Sequence, residues 1–261
     1  MENERRNLKL SGAGIANGGF YNEVKLSGGC KINGDIDCNF MKTSGACNVK
    51  GNITSKQLLT SGSFSETGNI DTEIFKSSGS SKIDGNLKGD EVTISGSGSV
   101  YGDIKVSKLN ISGGFKTDGK ISGGEIKLSG GVKIEKDCEC DKFFSKGSFN
   151  IGGTLNADEI NITIYDYCSA EEIVGQNIDI RYSSDISSSI FHIIKDMLSS
   201  SSNSLTAQTI EGDNIYLEHT TAKIVRGNKI TIGDNCNIDK IEYKDDLDLT
   251  GNSKIGSKTQ I

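Results

Sequence analysis

The chain has 261 residues, of which 34% are hydrophobic and 25% charged, with 33 Gly and no Pro. A net charge of −6, from 29 basic against 35 acidic residues, excludes the basic excess that nucleic-acid binding draws on. Many Gly beside few apolar residues argues against one large globular core and for a short unit, repeated, that buries few side chains per copy.

Residues 1–7 are polar and contain no apolar stretch, so neither a signal peptide nor a transmembrane anchor is expected, and the chain reads as cytoplasmic. Leu8, Leu10 and Gly12 then open a first rung, one residue short of those that follow. From Gly28 onward Gly recurs every 17 residues, at Gly45, Gly62, Gly79, Gly96, Gly113, Gly130 and Gly147, usually after Ser. A second apolar column lies eight residues after each Gly, beginning Ile36, Ile53 and Ile70. A third lies four residues before it, running from Val24, Met41 and Leu58 through Phe143 to Ile160. A fixed short period means that one structural unit is laid on the next.

Within each unit apolar and polar residues alternate, which marks strands whose even and odd positions face opposite ways. Three short strands are expected per rung, carrying the inward pairs Val24/Leu26, Cys30/Ile32 and Ile36/Cys38. Two corners hold Gly, and the second reads Gly34-Asp35, Gly51-Asn52, Gly68-Asn69, residues that tolerate the positive φ of a sharp bend. Parallel crossovers are nearly always right-handed. The fold expected is therefore all-β, a right-handed parallel β-helix of about 17 residues per rung. The absence of Pro suits strands that donate N–H groups on every rung.

Residues 1–182 are expected to form these rungs. The ruler falters at Ile164 and gives way to a Ser-rich insertion over residues 183–207, which contains the one helical pattern. Ile186, Ile190, Ile193, Ile194 and Met197 fall on one face, with Phe191 and Leu198 beside them, a helix too short to span a bilayer. Two readings stay open for it: a cap on the coil wall, or a foot for a partner or membrane surface through Ile190, Phe191, Ile194, Met197 and Leu198. Residues 208–261 resume in shorter rungs, with Ile215/Leu217, Ile230/Ile232, Ile241/Tyr243 and Leu247/Leu249.

Little in the chain suggests chemistry, and no catalytic, cofactor or metal residue is assigned. The seven Cys, Cys30, Cys38, Cys47, Cys138, Cys140, Cys168 and Cys236, mostly stand at inward positions and read as core filling in a reducing compartment. Neither His192 nor His219 accompanies a nucleophile or carboxylate constellation. Outward charges sort by corner, Lys25, Lys42, Lys76, Lys82 and Lys116 near the Ser-Gly corner and Asp35, Asp84, Asp103, Asp118 and Glu135 near the other, predicting one basic and one acidic flank.

Gly-punctuated rungs of this length, without catalytic motifs, resemble the bactofilins, a family of bacterial cytoskeletal proteins. The general resemblance runs from Leu8 to about Ile180, and a more particular one lies in Ile210-Glu211-Gly212-Asp213-Asn214-Ile215-Tyr216-Leu217-Glu218 and Ala222-Lys223-Ile224-Val225-Arg226-Gly227. The resemblance implies a β-helix that polymerises end to end without nucleotide. The chain lacks the family's Pro-rich tails and has more rungs than its usual core.

Physics points the same way, because the first and last coils of a solenoid expose unpaired strand edges. Self-association is expected through Leu8, Leu10 and Phe20 at one end and Ile230, Ile232, Ile241, Tyr243, Leu247 and Leu249 at the other. Contact with a membrane surface or an envelope protein is a further option, and nucleic acid is not. Two alternatives stay open: a monomeric rigid binding module, and a carbohydrate-active β-helix with a groove built from residues 183–207.

Overall fold

The structure, a computed structural model, describes residues 5–183 and 203–261. The expected helix, with Ile190, Phe191, Ile194, Met197 and Leu198, lies outside the described residues. Among the described residues every helix or strand element is a β-strand, and within each of the two units described below the rungs pair in parallel, so the fold is a parallel β-solenoid with turns about 17 residues apart. The chain divides into two units, Met1–Cys140 and Asp141–Ile261.

The first unit opens with β1 (Arg6–Ser11), β2 (Gly14–Lys50) and β3 (Ile53–Glu66). It continues with β4 (Ile70–Ser77), β5 (Ser80–Ile83), β6 (Leu87–Ile94), β7 (Ser97–Val100), β8 (Ile104–Ile111), β9 (Gly114–Thr117), β10 (Ile121–Leu128) and β11 (Gly131–Ile134). Strand β12 (Cys138–Ser145) contains the boundary. The register keeps the 17-residue step, Ile53 pairing with Ile70, Ile70 with Leu87 and Leu87 with Ile104. The short first rung is also present, since Leu8 pairs with Val24 and Leu10 with Leu26.

Three strands per rung were expected, but the middle rungs resolve into two, one of eight residues and one of four. The corner after Thr72 contains no Gly and bends over one residue. Pairing therefore skips Glu73 and resumes at Ile74, and the two expected strands run on as one.

Stacked side chains form the core. Val24, Met41, Leu58, Phe75, Val92, Leu109 and Ile126 are all 0% exposed, one above another at the same point of successive turns. Each contributes about 1.5–3 kcal/mol by leaving water. The column is apolar because a polar member would need a hydrogen-bond partner inside the core. In a neighbouring column Ser55 and Thr72, on adjacent rungs, meet that need by bonding to each other at 2.8 Å.

The Asp and Asn of the second corner do not take positive φ. Among the described residues only His219 and Asn235 do so without being Gly. These side chains instead bond upward, each Oδ1 accepting the backbone N–H of its counterpart one rung on. The ladder runs from Asp35 to Asn52 at 2.7 Å, Asn69 at 2.9 Å, Asn86 at 2.8 Å, Asp103 at 2.8 Å and Lys120 at 3.0 Å.

Glycine at the Ser-Gly corner has two causes. Gly45 has φ +96°, a left-handed conformation that a side chain disfavours. Gly113 lies outside that region, but a Cβ there would overlap the carbonyl oxygen of Gly96.

In the second unit β13 (Ser148–Ile164) pairs with β14 (Cys168–Tyr182), and β14 with β15 (Leu205–Leu217). Then follow β16 (Thr220–Ile232), β17 (Asn237–Leu249) and β18 (Lys254–Gln260). The rungs shorten to 15 residues where Leu205 pairs with Thr220 and Ile215 with Ile230. Ile173 pairs with Ile210 and Ile180 with Leu217, so the residues between Tyr182 and Leu205 interrupt the chain without shifting the ladder.

Candidate assembly edges

Among the described residues Arg6–Ser11, Asp246–Leu249 and the outer side of β18 are open strand edges. In the first unit β1 pairs with β2 on one side, leaving the backbone of Arg6–Ser11 unpaired on the other. Leu8 and Leu10 point toward the core and are only half-buried, because no rung covers them. Phe20 is 71% exposed, and Ile15, which sequence reasoning did not single out, is 70% exposed. Arg6 pairs with the buried Tyr21 and lies over its ring at 5.5 Å, while Lys9 stands outward from the same edge, in register with Lys25.

In the second unit the last turn is half covered. Strand β18 lies on Asn237–Tyr243, placing Ile255 on Ile238 and Lys258 on Ile241. Nothing described lies on Asp246–Leu249 beyond its pairing with β16. Leu247 is half-buried and Leu249 is 41% exposed, while Asp245, Asp246 and Asp248 face solvent around them.

The nine residues expected at the ends therefore separate. Leu8, Leu10, Phe20, Leu247 and Leu249 retain exposed surface, and Tyr243 is half-buried beneath Gln260. Ile230, Ile232 and Ile241 are 0–1% exposed, covered by Leu247, Leu249 and Lys258, so they are core and not edge. The missed rung was β18. Its spacing fits the repeat, but Lys258 stands where the column elsewhere holds Ile173, Ile210, Val225 and Ile241. A charge facing inward on a terminal strand discourages indiscriminate pairing.

The two charged flanks are not separate. Outward residues two apart share one side of a strand, and Lys82 meets Asp84 at 3.0 Å, Lys116 meets Asp118 at 2.9 Å and Lys133 meets Glu135 at 2.7 Å. Lys25 and Lys127 likewise pair with Glu23 and Glu125. Basic and acidic residues interleave, which removes the one-signed face that anionic lipid would need.

The cysteines are all buried and free. Burial pushes the Cys47 thiol up to about 12 and that of Cys38 to about 11, far from the thiolate a nucleophile requires. His219 stacks on Tyr182 at 3.9 Å and bonds Asn235 at 2.9 Å, while Tyr216 donates to Glu218 at 2.6 Å. These groups satisfy one another. Among the described residues no group of three His, Cys, Asp or Glu could hold a metal, and no helix is long and apolar enough to cross a membrane.

Comparison with known proteins places this geometry. The uncharacterized proteins YhbF and YhbE of Bacillus subtilis (strain 168) are each 44% identical to this chain over 57 residues. The overlap is 22% of this chain and 24% of each relative, so the chain covers about a quarter of the length of the curated relatives it matches. No solved structure matches the chain. Residues 24–122 match the bactofilin family model, described as polymer-forming cytoskeletal, and these residues hold the regular 17-residue rungs. The bactofilin resemblance is thus shown over residues 24–122, on a β-solenoid fold.

Proposed function

We propose that this chain is a non-enzymatic cytoskeletal scaffold that polymerises through its terminal rungs, in the cytoplasm and without nucleotide. The carrying observation is the pair of open parallel edges, Arg6–Ser11 and the stretch ending at Leu249, each with half-exposed Leu side chains in core columns. Inside the molecule each rung is held by backbone bonds and apolar stacking to its neighbour. A second copy offers an open edge the same two interactions, and leaving its N–H and C=O groups unpaired in a contact would cost the desolvation of each. The right-handed sense and the three-sided rung belong to this reading, as parallel crossovers favour that hand. Leu8, Leu10, Phe20, Tyr243, Leu247 and Leu249 form the contact, and Ile230, Ile232 and Ile241 support it from beneath.

Negative-stain microscopy and sedimentation of the purified full chain, without added nucleotide, test this. Continuous fibres that shorten or vanish in Leu247→Lys/Leu249→Lys are expected. A monomer at high concentration in several salts would overturn the proposal.

A further inference from the structure

We propose that the first three rungs bind a compact inorganic oligophosphate, held by Lys9, Lys25 and Lys42 together with Ser27 and Ser44. The site lies on an outward face of the first unit and does not depend on how copies assemble.

The arrangement follows from the repeat. Lys9 pairs with Lys25 and Ser11 with Ser27, and one 17-residue step carries Lys25 to Lys42 and Ser27 to Ser44. Residues two apart on a strand share a face, so three successive rungs present the same Lys and Ser pair outward. All three Lys are exposed. Lys42 pairs on its other side with Leu59, which ends the run.

Like charges directly opposite one another on neighbouring strands repel. Further along this face the Lys side chains are compensated, since Lys76 meets Glu91 at 3.3 Å and Lys108 and Lys127 meet Glu125 at 3.3 and 2.9 Å. On the first three rungs one carboxylate serves three ammonium groups. Glu23 takes Lys25 at 2.7 Å, and among the described residues Lys9 and Lys42 make no ion pair. Two uncompensated charges therefore flank an ion pair, one rung to either side of it.

The surface between them is hollow. The three Lys, Ser27 and Ser44 line an open concavity of about 250 Å³, which suits a ligand smaller than a drug-sized molecule. The Ser27 hydroxyl donates to the Leu10 carbonyl at 3.4 Å, longer than an O–H···O bond prefers, so a phosphoryl oxygen competes for it at little cost.

Spacing selects the ligand. Lys9 and Lys42 are two rungs apart, about 10 Å at the backbone. A phosphate chain carries charge at both ends and reaches both ammonium groups past Glu23, whereas a single phosphate between them sits beside the carboxylate that repels it. No aromatic ring lines the hollow to stack a base, which favours an inorganic chain over a nucleotide. Two free Lys also fall short of the cluster of about four to eight basic residues that a lipid surface draws on.

Sodium tripolyphosphate, titrated by calorimetry into the purified full chain at low salt, tests the site. Tripolyphosphate is expected to bind, pyrophosphate more weakly and orthophosphate most weakly. Lys9→Gln/Lys42→Gln is expected to weaken tripolyphosphate about tenfold, the sum of two exposed charge contacts. Glu23→Gln removes the competing carboxylate and is expected to tighten it about threefold, a gain that misfolding does not produce. Lys76→Gln/Lys127→Gln, in the same column but with carboxylate partners, should leave the affinity unchanged. Absence of tripolyphosphate binding, or equal losses in the two double variants, would overturn the proposal. Tighter binding of ATP than of tripolyphosphate would overturn it in favour of a nucleotide site. Capture on phosphatidylserine vesicles that needs Lys9 and Lys42, without tripolyphosphate binding, would overturn it in favour of a lipid contact.

Discussion

The backbone N–H of Asn69 donates to Oδ1 of Asn52, one rung below, at 2.9 Å. Asn69 passes the interaction on, its own Oδ1 accepting the N–H of Asn86 at 2.8 Å. Each Asx side chain thus does for the next corner what a backbone carbonyl does within a strand. Asn69→Ala leaves the Asn86 N–H without that acceptor at an exposed corner. A loss of about 1 kcal/mol is expected. Asn69→Asp keeps an acceptor in place and should stay within about 0.5 kcal/mol of wild type. Denaturant midpoints of the two variants check this, and equal losses would show that the ladder oxygen is not what matters.

Gly113 and Gly114 are adjacent, yet only the first is sterically required. A Cβ on Gly113 would overlap the Gly96 carbonyl oxygen, and one on Gly114 meets nothing within 4 Å. Relief of the overlap needs the rungs to move apart, so Gly113→Ala should destabilise by about 1–3 kcal/mol, the range of an overpacked core. Gly114→Ala should lie within about 0.5 kcal/mol of wild type. Thermal unfolding of the pair measures the contrast, and a tolerated Gly113→Ala would remove close approach as the reason for the Gly column.

The core columns could be read from the chain because 17-residue spacing and strand alternation act together: Val24, Met41 and Leu58 can share a column only if the rungs stack. The causes behind the punctuation were less legible. Spacing alone does not separate a left-handed bend, as at Gly45, from backbone crowding, as at Gly113. Nor does it reveal that Asn52 bonds upward instead of bending the chain. The strand that covers Ile241 at the C-terminal end was missed because Lys258 breaks the apolar rule at a column position where Ile241 keeps it. The interleaved charges were within reach of the sequence, since Lys82 and Asp84 are two apart and must share a face.

Glu66 is a carboxylic acid in an apolar column, 0% exposed between Val49 and Ile83. One carboxyl oxygen accepts the N–H of Gly68, and the other has no partner. Burial raises its pKa from 4.5 to about 7, the Gly68 N–H opposes the shift, and Asp84 adds to it. The unfolded carboxyl ionises first, so the folded state holds the extra proton between those values. The favourable state is complete below pH 4.5 and is lost as pH rises through 7. The difference amounts to roughly 3 kcal/mol. Glu66→Gln keeps an acceptor for Gly68 and cannot ionise, so its stability relative to wild type should be greater at pH 8 than at pH 5. Urea denaturation at both values tests this, and a pH-independent difference would mean that Glu66 does not ionise as argued.

The corner that carries the interruption has two intact counterparts on the following rungs. Leu217 reaches Thr220 through Glu218 and His219, and Ile232 reaches Cys236 through Gly233, Asp234 and Asn235. His219 and Asn235 supply the positive φ, at 47° and 58°. On the interrupted rung both ends are already tied to the ladder. The Tyr182 N–H donates to Glu218 at 2.8 Å, and the Cys168 N–H donates to the Ser204 carbonyl at 3.0 Å. Deleting residues 183–203 and joining Tyr182 to Ser204 recreates a three-residue corner of Arg181, Tyr182 and Ser204. Ser204→Asn then supplies the residue type that occupies the Asn235 position. Closing a shorter loop costs less chain entropy by about 0.6 kcal/mol per halving, so the deletion should stabilise the chain by about 1–2 kcal/mol. Cooperative unfolding at a midpoint equal to or above that of wild type is the expected result. Loss of the cooperative transition would mean that the deleted residues hold the rungs on either side together.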